Sequence, residues 1–165
     1  MAKQYGVKFE GYTIKQQDQS NFQHDSRLKR YDFFKAIAAK YHSTKIAVAH
    51  HLDDQVETVL MRIVRGTSFS GYTGIKEIRI DRNVSIIRPL MNIKKDDIIE
   101  YAKTHTISYF EDRTNQEDIY TRNRFRNQII PLLKEENPNL ESKVIQQYYL
   151  KSTIGKIIVI KVCAN

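Results

Sequence analysis

Residues 49–66 read AHHLDDQVETVLMRIVRG, two histidines and two aspartates that run directly into an apolar stripe and stop at Gly66. Val56, Leu60, Ile63 and Val64 recur at three- and four-residue steps, so a helix is expected from Asp53 to Arg65, ended by the glycine. Immediately upstream, KIAVAH (residues 45–50) is a short apolar run between polar neighbours, the pattern of a buried strand. Strand followed by helix sets His50, His51, Asp53 and Asp54 at the carboxyl end of that strand, where open α/β sheets bind their ligands.

Such a cluster has three readings. As a metal site it is poorly built, because adjacent histidines on extended chain point to opposite faces and no cysteine lies nearby; no metal ligand is assigned, although a magnesium ion arriving with a nucleotide is compatible. As a helix cap it needs only one aspartate, which accepts backbone N–H groups in the first turn and contributes about 0.5 to 2 kcal/mol. As a substrate site it offers Asp54 and Glu57, about 60° apart on a helix and flanking the apolar stripe, as a pair able to hold an ammonium group.

Outward from this segment, GVKFEGYTI (6–14) alternates like a strand and KQQDQSNFQHDS (15–26) has the composition of a loop. RLKRYDFFKAIAAKYH (27–42) places Leu28, Tyr31, Phe34, Ile37, Ala38 and Tyr41 on one helical face. Strand, helix, strand, helix in this order predicts an α/β layer with parallel strands. TSFSGYTGIKE (67–77) is a glycine-containing loop, EIRIDRNVSIIRPL (77–90) a hairpin or two short strands around its DRN, and KKDDIIEYAKTH (94–105) a short helix. A further helix is expected from about Tyr120, with Phe125, Ile129, Leu132 and Leu133 inward, Arg122 and Arg126 at the edges of that face and Arg124 opposite. An arginine beside a core face requires an anion: a phosphate, or a salt bridge to Glu111 or Asp112, unless it snorkels to the surface. Residues 151–165 are β-branched and carry no charge but lysine, and read as an edge strand or a foreign tail.

The chain has 165 residues, a formal charge of +8, 41% hydrophobic and 28% charged residues, which suits one globular domain rather than a disordered or membrane protein. No apolar run approaches the roughly 20 residues that cross a bilayer, and the first residues lack the pattern of a secretory signal, so a cytoplasmic setting is expected. The lone Cys163 agrees with a reducing compartment. The positive charge favours a polyanionic partner bound in a salt-dependent way.

Taken together, RLKRYDFF (27–34), AHHLDDQVETVLMRIVRGTSFSGYTGI (49–75), IIRPL (86–90), YFEDRTN (109–115) and TRNRFRNQIIPLL (121–133) resemble, in order and from about Val7 to Leu140, the catalytic domains of tRNA(Ile)-lysidine synthases, members of the N-type ATP pyrophosphatase or PP-loop group. The resemblance implies an ATP-dependent ligase, with Mg2+ accompanying the ATP, that adenylates C2 of the wobble cytidine of a CAU-anticodon tRNA(Ile) and joins it to the ε-amine of L-lysine. It implies an adenine nucleotide α-hydrolase-like fold, here an incomplete doubly wound parallel sheet over residues 1–118, a helical extension over 119–150 and an atypical tail over 151–165. It further implies Arg30, Asp54, Glu57 and Arg126 as catalytic groups, with Asp54 and Glu57 holding the lysine, His50, His51 and Asp53 on the nucleotide side, and Arg113, Asn115, Arg122 and Arg124 on the RNA. The family's Ser-Gly-Gly-x-Asp-Ser phosphate loop does not occur in the sequence, and GVKFEGYTI corresponds to the family's second strand. The expectation is therefore a fragment with two unpaired sheet edges, inactive alone. Two other functions remain open: a tRNA base-thiolation enzyme of the same group, which the solitary cysteine disfavours, and a non-catalytic basic RNA-binding module.

Overall fold

A computed structural model describes residues 2–13, 22–67, 72–110 and 120–146, with side chains from residue 25 onward in the first helix. Residues 14–21, Arg113, Asn115 and residues 151–165 lie outside the described residues. The chain divides into two compact units, Met1–Val48 with Ile78–Pro89, and Ala49–Glu77 with Leu90–Asn165.

The first unit holds α1 (Phe22–Lys40), β1 (Lys45–Ala47), β2 (Ile78–Asp81) and β3 (Val84–Ile87), with the sheet ordered β1-β3-β2. β1 runs parallel to β3, with Ile46 opposite Ile86, whereas β2 is antiparallel to it, with Ile80 opposite Ser85. The sheet is thus α/β but mixed, which corrects the expectation of parallel strands throughout. The cause is local: Arg82 and Asn83 alone connect β2 to β3, and Arg82 takes φ +56°, so the chain reverses without a crossover. The hairpin expected at 77–90 is this one. Ile86, in the central strand, is completely buried.

The strand expected at 6–14 is absent from residues 6–13; they carry no strand pairing. Glu10 instead accepts hydrogen bonds from Lys40 and the Tyr41 hydroxyl, each 2.6 Å, and Tyr12 stacks on Phe33 at 5.5 Å between ring centres. Helix α1 also begins earlier than its apolar pattern, and of its expected inner face only Ala38 is buried, with Leu28 and Tyr41 exposed. The mismatch is one of length: nineteen helical residues extend about 28 Å, whereas a three-residue strand extends about 10 Å and cannot cover the helix.

The second unit is helical: α2 (Leu52–Val64), α3 (Lys95–Thr104), α4 (Thr121–Arg124), a π-helical turn (Phe125–Ile129), α5 (Ile130–Glu136) and helical residues 140–146. Leu52, Val56 and Ile130 form its core, with Leu60, Leu140, Val144 and Ile145 packed against them. α2 matches its sequence pattern to within a residue, and Gly66, at φ +69°, ends it as expected.

The arginine helix departs from its wheel. Ile130 rather than Ile129, Leu132 and Leu133 faces inward with Phe125, and Leu132 is exposed. The π turn, in which the Ile130 N–H donates to the Phe125 carbonyl, adds one residue and rotates the following face by about 100°. Pro131, next in sequence, has no N–H to give and its ring crowds the carbonyl four residues back, a conflict that a widened turn relieves.

Gln55, 2% exposed, ties α2 to the loop after it: its Oε1 accepts the Ile75 N–H at 2.6 Å and its amide reaches the Thr73 carbonyl at 3.5 Å. Gly74 makes this possible. Its φ is +59°, and a Cβ there would stand 2.6 Å from Gln55 Oε1. Gly74→Ala is therefore expected to lower stability by roughly 2–4 kcal/mol, from left-handed strain plus the displaced hydrogen bonds. Urea denaturation of the two chains measures this, and a difference under about 0.5 kcal/mol would contradict it.

Candidate functional site

All four carboxylate oxygens of Asp54 and Glu57 are committed. The Asp54 side chain accepts the backbone N–H of His51 through Oδ2 at 3.0 Å, so it caps its own helix. Its Oδ1 receives Arg122 Nη2 at 2.6 Å, while Arg122 Nε donates to Glu57 Oε2 at 2.5 Å. Glu57 Oε1 takes Arg126 Nε at 2.6 Å, and Arg126 Nη2 lies 3.7 Å from Asp54 Oδ1. One guanidinium thus forks across both acids and the second closes on the same pair. The three-residue spacing of Asp54 and Glu57 presents them on adjoining edges of α2, and the four-residue spacing of Arg122 and Arg126 does the same from 65 to 69 residues away.

Burial makes the arrangement obligatory. Glu57 is 1% exposed and Asp54 9%. A carboxylate so placed is tolerated only when paired and hydrogen-bonded. Burial by itself would weaken the charged form of Arg126, but the hydrogen bond and charge of Glu57, with Asp54 and Asp53 beyond it, hold its pKa above the ordinary arginine value.

Asp53 points elsewhere. Its Oδ2 accepts the Lys95 N–H at 2.8 Å, the first of α3, and His51 Nδ1 stands 3.5 Å away. Burial pushes its carboxyl up, but the His51 contact, the Lys95 N–H and the charge of His51 outweigh that and bring it down to about 2. The two aspartates therefore cap two different helices, and capping and charge pairing both hold for Asp54.

Of the remaining candidates, His50 and His51 are half-buried ahead of α2, and Arg124 is exposed, donating to Thr121 Oγ1 at 3.2 Å. Arg30 lies exposed on α1 in the first unit. The partners Glu111 and Asp112, weighed for the arginines from sequence, lie outside the described residues. Among the described residues no group of three His, Cys, Asp or Glu side chains is placed to hold a metal ion.

A cavity of about 220 Å3 opens beside the cluster, lined by Asp53, Val56 and Glu57 of α2, Arg126, Ile130, Pro131 and Lys134 of the arginine helix, and by Lys95 and Glu141. Lys95, Lys134 and Glu141 escaped the sequence reading. The available signal was spacing, since Arg126, Ile130 and Lys134 follow at four-residue steps.

Comparison with known proteins gives a family. A model described as a PP-loop domain matches residues 1–133. The tRNA(Ile)-lysidine synthase of Enterococcus faecalis is 44% identical over 126 residues, covering 76% of this chain and 27% of that protein. That of Bacillus subtilis is 42% identical over 123 residues, 74% of this chain and 26% of its own length. The bifunctional protein TilS/HprT of Listeria monocytogenes is 44% identical over 124 residues, 75% of this chain and 19% of that protein. The chain thus spans about a quarter or less of these relatives. Among solved structures, the U34-tRNA thiolase NcsA from Methanococcus maripaludis superposes with a TM-score of 0.69 at 17% identity, over 92% of this chain and 53% of that one, a likeness of fold alone.

Two outcomes follow from the charge pairing. Glu57→Gln leaves two guanidinium groups facing a neutral amide, and a loss of roughly 3–5 kcal/mol in unfolding free energy is expected by urea titration. For Asp53 the folded pKa of about 2 lies below the ordinary 3.8. Its stabilisation is therefore complete above pH 4 and lost as pH falls through about 2, a contribution of about 1–2 kcal/mol after allowing for partial solvent screening. Asp53→Asn should flatten that part of the pH–stability curve between pH 4 and 2, and an unchanged slope would refute the assignment.

Proposed function

Because the chain belongs to the PP-loop domain family, we propose that it is part of a tRNA(Ile)-lysidine synthase, with Asp54 and Glu57 as the pair that positions the ε-amine of lysine. The reaction of such an enzyme is ATP-dependent ligation of lysine to C2 of the wobble cytidine in CAU-anticodon tRNA(Ile), through an adenylated base. The observation that carries the reading is the buried Asp54–Glu57 pair, bracketed by Arg122 and Arg126.

An ionised carboxylate offers about four lone-pair sites, so the two acids retain acceptor capacity beyond the arginine and backbone bonds they already make. A lysine ammonium entering from the cavity, which Glu57 lines, would take up such a site without expelling either guanidinium. The arginines then have two duties. They hold the carboxylates at fixed positions, and Arg126 places positive charge where negative charge develops on the activated base or its leaving group. Fixing the amine within about 3–3.5 Å of its electrophile is where most of the rate gain of such a site arises.

ATP is the nucleotide that a PP-loop domain uses. The phosphate grip does not fit the described residues: their glycines are Gly6, Gly11, Gly66 and Gly74, scattered through separate turns, and Gly74 is packed against Gln55. His50, His51 and Asp53 form the side that the nucleotide approaches. The proposed RNA contacts are Arg122, Arg124, Arg113 and Asn115, on a chain whose charge of +8 favours a polyanion. No helix among the described residues is long and apolar enough to cross a membrane, and a cytoplasmic setting is proposed.

Binding rather than turnover tests this reading. Lysine is expected to slow amide hydrogen exchange across α2, with protection lost in Asp54→Asn and absent with norleucine, which lacks the terminal amine. Salt-sensitive tRNA binding without any lysine effect would instead favour the RNA-binding module.

A further inference from the structure

The cavity beside α2 is built from two facing stripes. On one side Asp53, Val56 and Glu57 follow at three- and one-residue steps along α2; on the other Arg126, Ile130 and Lys134 follow at four-residue steps. From Arg126 to Lys134 the helix advances about 12 Å. A charged pair stands at each end of this second stripe: Arg126 with Glu57, and Lys134 with Glu141 from residues 140–146. Val56, Ile130 and Pro131 supply the apolar part of the lining, and Asp53 and Lys95 line the same cavity. The volume of about 220 Å3 lies below the roughly 300–1,000 Å3 of pockets for drug-sized ligands, too small for a nucleotide and of a size for a free amino acid.

Charge, apolar stem, charge is the pattern of an amino acid with a long cationic side chain. Accepting the reading above, in which the ε-amine lies at Asp54 and Glu57, we propose that Lys134 and Glu141 form the subsite for the other end of the substrate, Lys134 pairing with the α-carboxylate and Glu141 with the α-ammonium. The polarity of the pair is suited to a zwitterion, since each partner offers the charge that one α-group requires. Glu141 is 7% exposed, and its carboxylate pairs with the Lys134 ammonium. That ammonium is held above its ordinary pKa, chiefly by its hydrogen bond to Glu141 and against partial burial, with Asp53 and Asp96 adding to the effect, so it remains a cation throughout the neutral range. In the absence of ligand the two groups satisfy each other across the junction of α5 with residues 140–146. A bound zwitterion inserts between them and exchanges one ion pair for two.

The consequence is selectivity that the ε-amine site alone does not provide. Calorimetry on the unaltered chain with three ligands reads it: lysine; 1,5-diaminopentane, which lacks the α-carboxylate; and 6-aminohexanoate, which lacks the α-amine. Lysine is expected to bind about tenfold or more tighter than either analogue, the loss that removal of one charge-assisted hydrogen bond produces. Lys134→Met should abolish the preference for lysine over 1,5-diaminopentane, both measured on that variant. A Lys134–Glu141 pair that merely clasps two helices would not produce that convergence. If lysine and both analogues bind alike, the subsite is refuted and the ε-amine site stands. If none of the three binds, the lysine reading itself fails and takes the subsite with it. The ligand series needs no variant, so it decides the matter even if Lys134→Met does not fold.

Discussion

A carboxylate removed from water as completely as Glu57 must be met by positive charge, and it is met twice, by groups more than sixty residues away in the chain. The rest of the second unit accommodates that requirement. Arg122 and Arg126 must arrive together, so they share a helical face; the helix must lie against α2, so Ile130 packs on Leu52 and Val56. Asp54 completes the neutralisation and also closes the first turn of α2. The energetic balance is of the kind in which the intact quartet adds little net stability compared with an apolar replacement, while the loss of one member is expensive. What the quartet fixes is the placement of the two acids.

That placement bears on what the acids can do. Paired to arginines, the two carboxylates present a cluster of near-zero net charge, which lowers the attraction for an arriving ammonium but also holds the acids in place. For the proposed role in positioning a nucleophile the second property counts for more, because fixed acids leave less orientational entropy to be lost when a ligand binds. The mixed charge of the adjoining cavity continues the same theme and favours a ligand that carries both signs.

α2 was legible in the sequence because its apolar spacing coincides with its buried face, and α3 lies where a short helix was expected although none of its residues is buried. The hairpin was legible from its short polar turn. The parallel sheet was not, since the sequence carries no mark of which strand will be the middle one, and the two-residue connection decided it. The strand assigned to residues 6–14 failed for a related reason: alternation is a condition for pairing, and pairing needs a neighbour. In the site, the residue types and the clustering at the start of α2 were visible, and so was the need of Arg122 and Arg126 for an anion. Which anion they meet was not, because periodicity within each helix says nothing about which helices face each other. Lys134 and Glu141 were missed because each, taken alone, is an ordinary charged residue.

The π turn carries a consequence for how this segment tolerates change in length. Upstream of it the phase of the helix is set by Arg122; downstream it is set by Ile130 and Lys134, one residue out of step with the wheel that begins at Thr121. The surplus residue acts as a phase adjuster between a half devoted to ion pairing and a half devoted to packing. Shortening the segment by a single residue would leave both halves helical yet turn one away from its partners, so the spacing between Phe125 and Pro131 is constrained even where individual side chains, such as those of Asn127 and Gln128, face solvent.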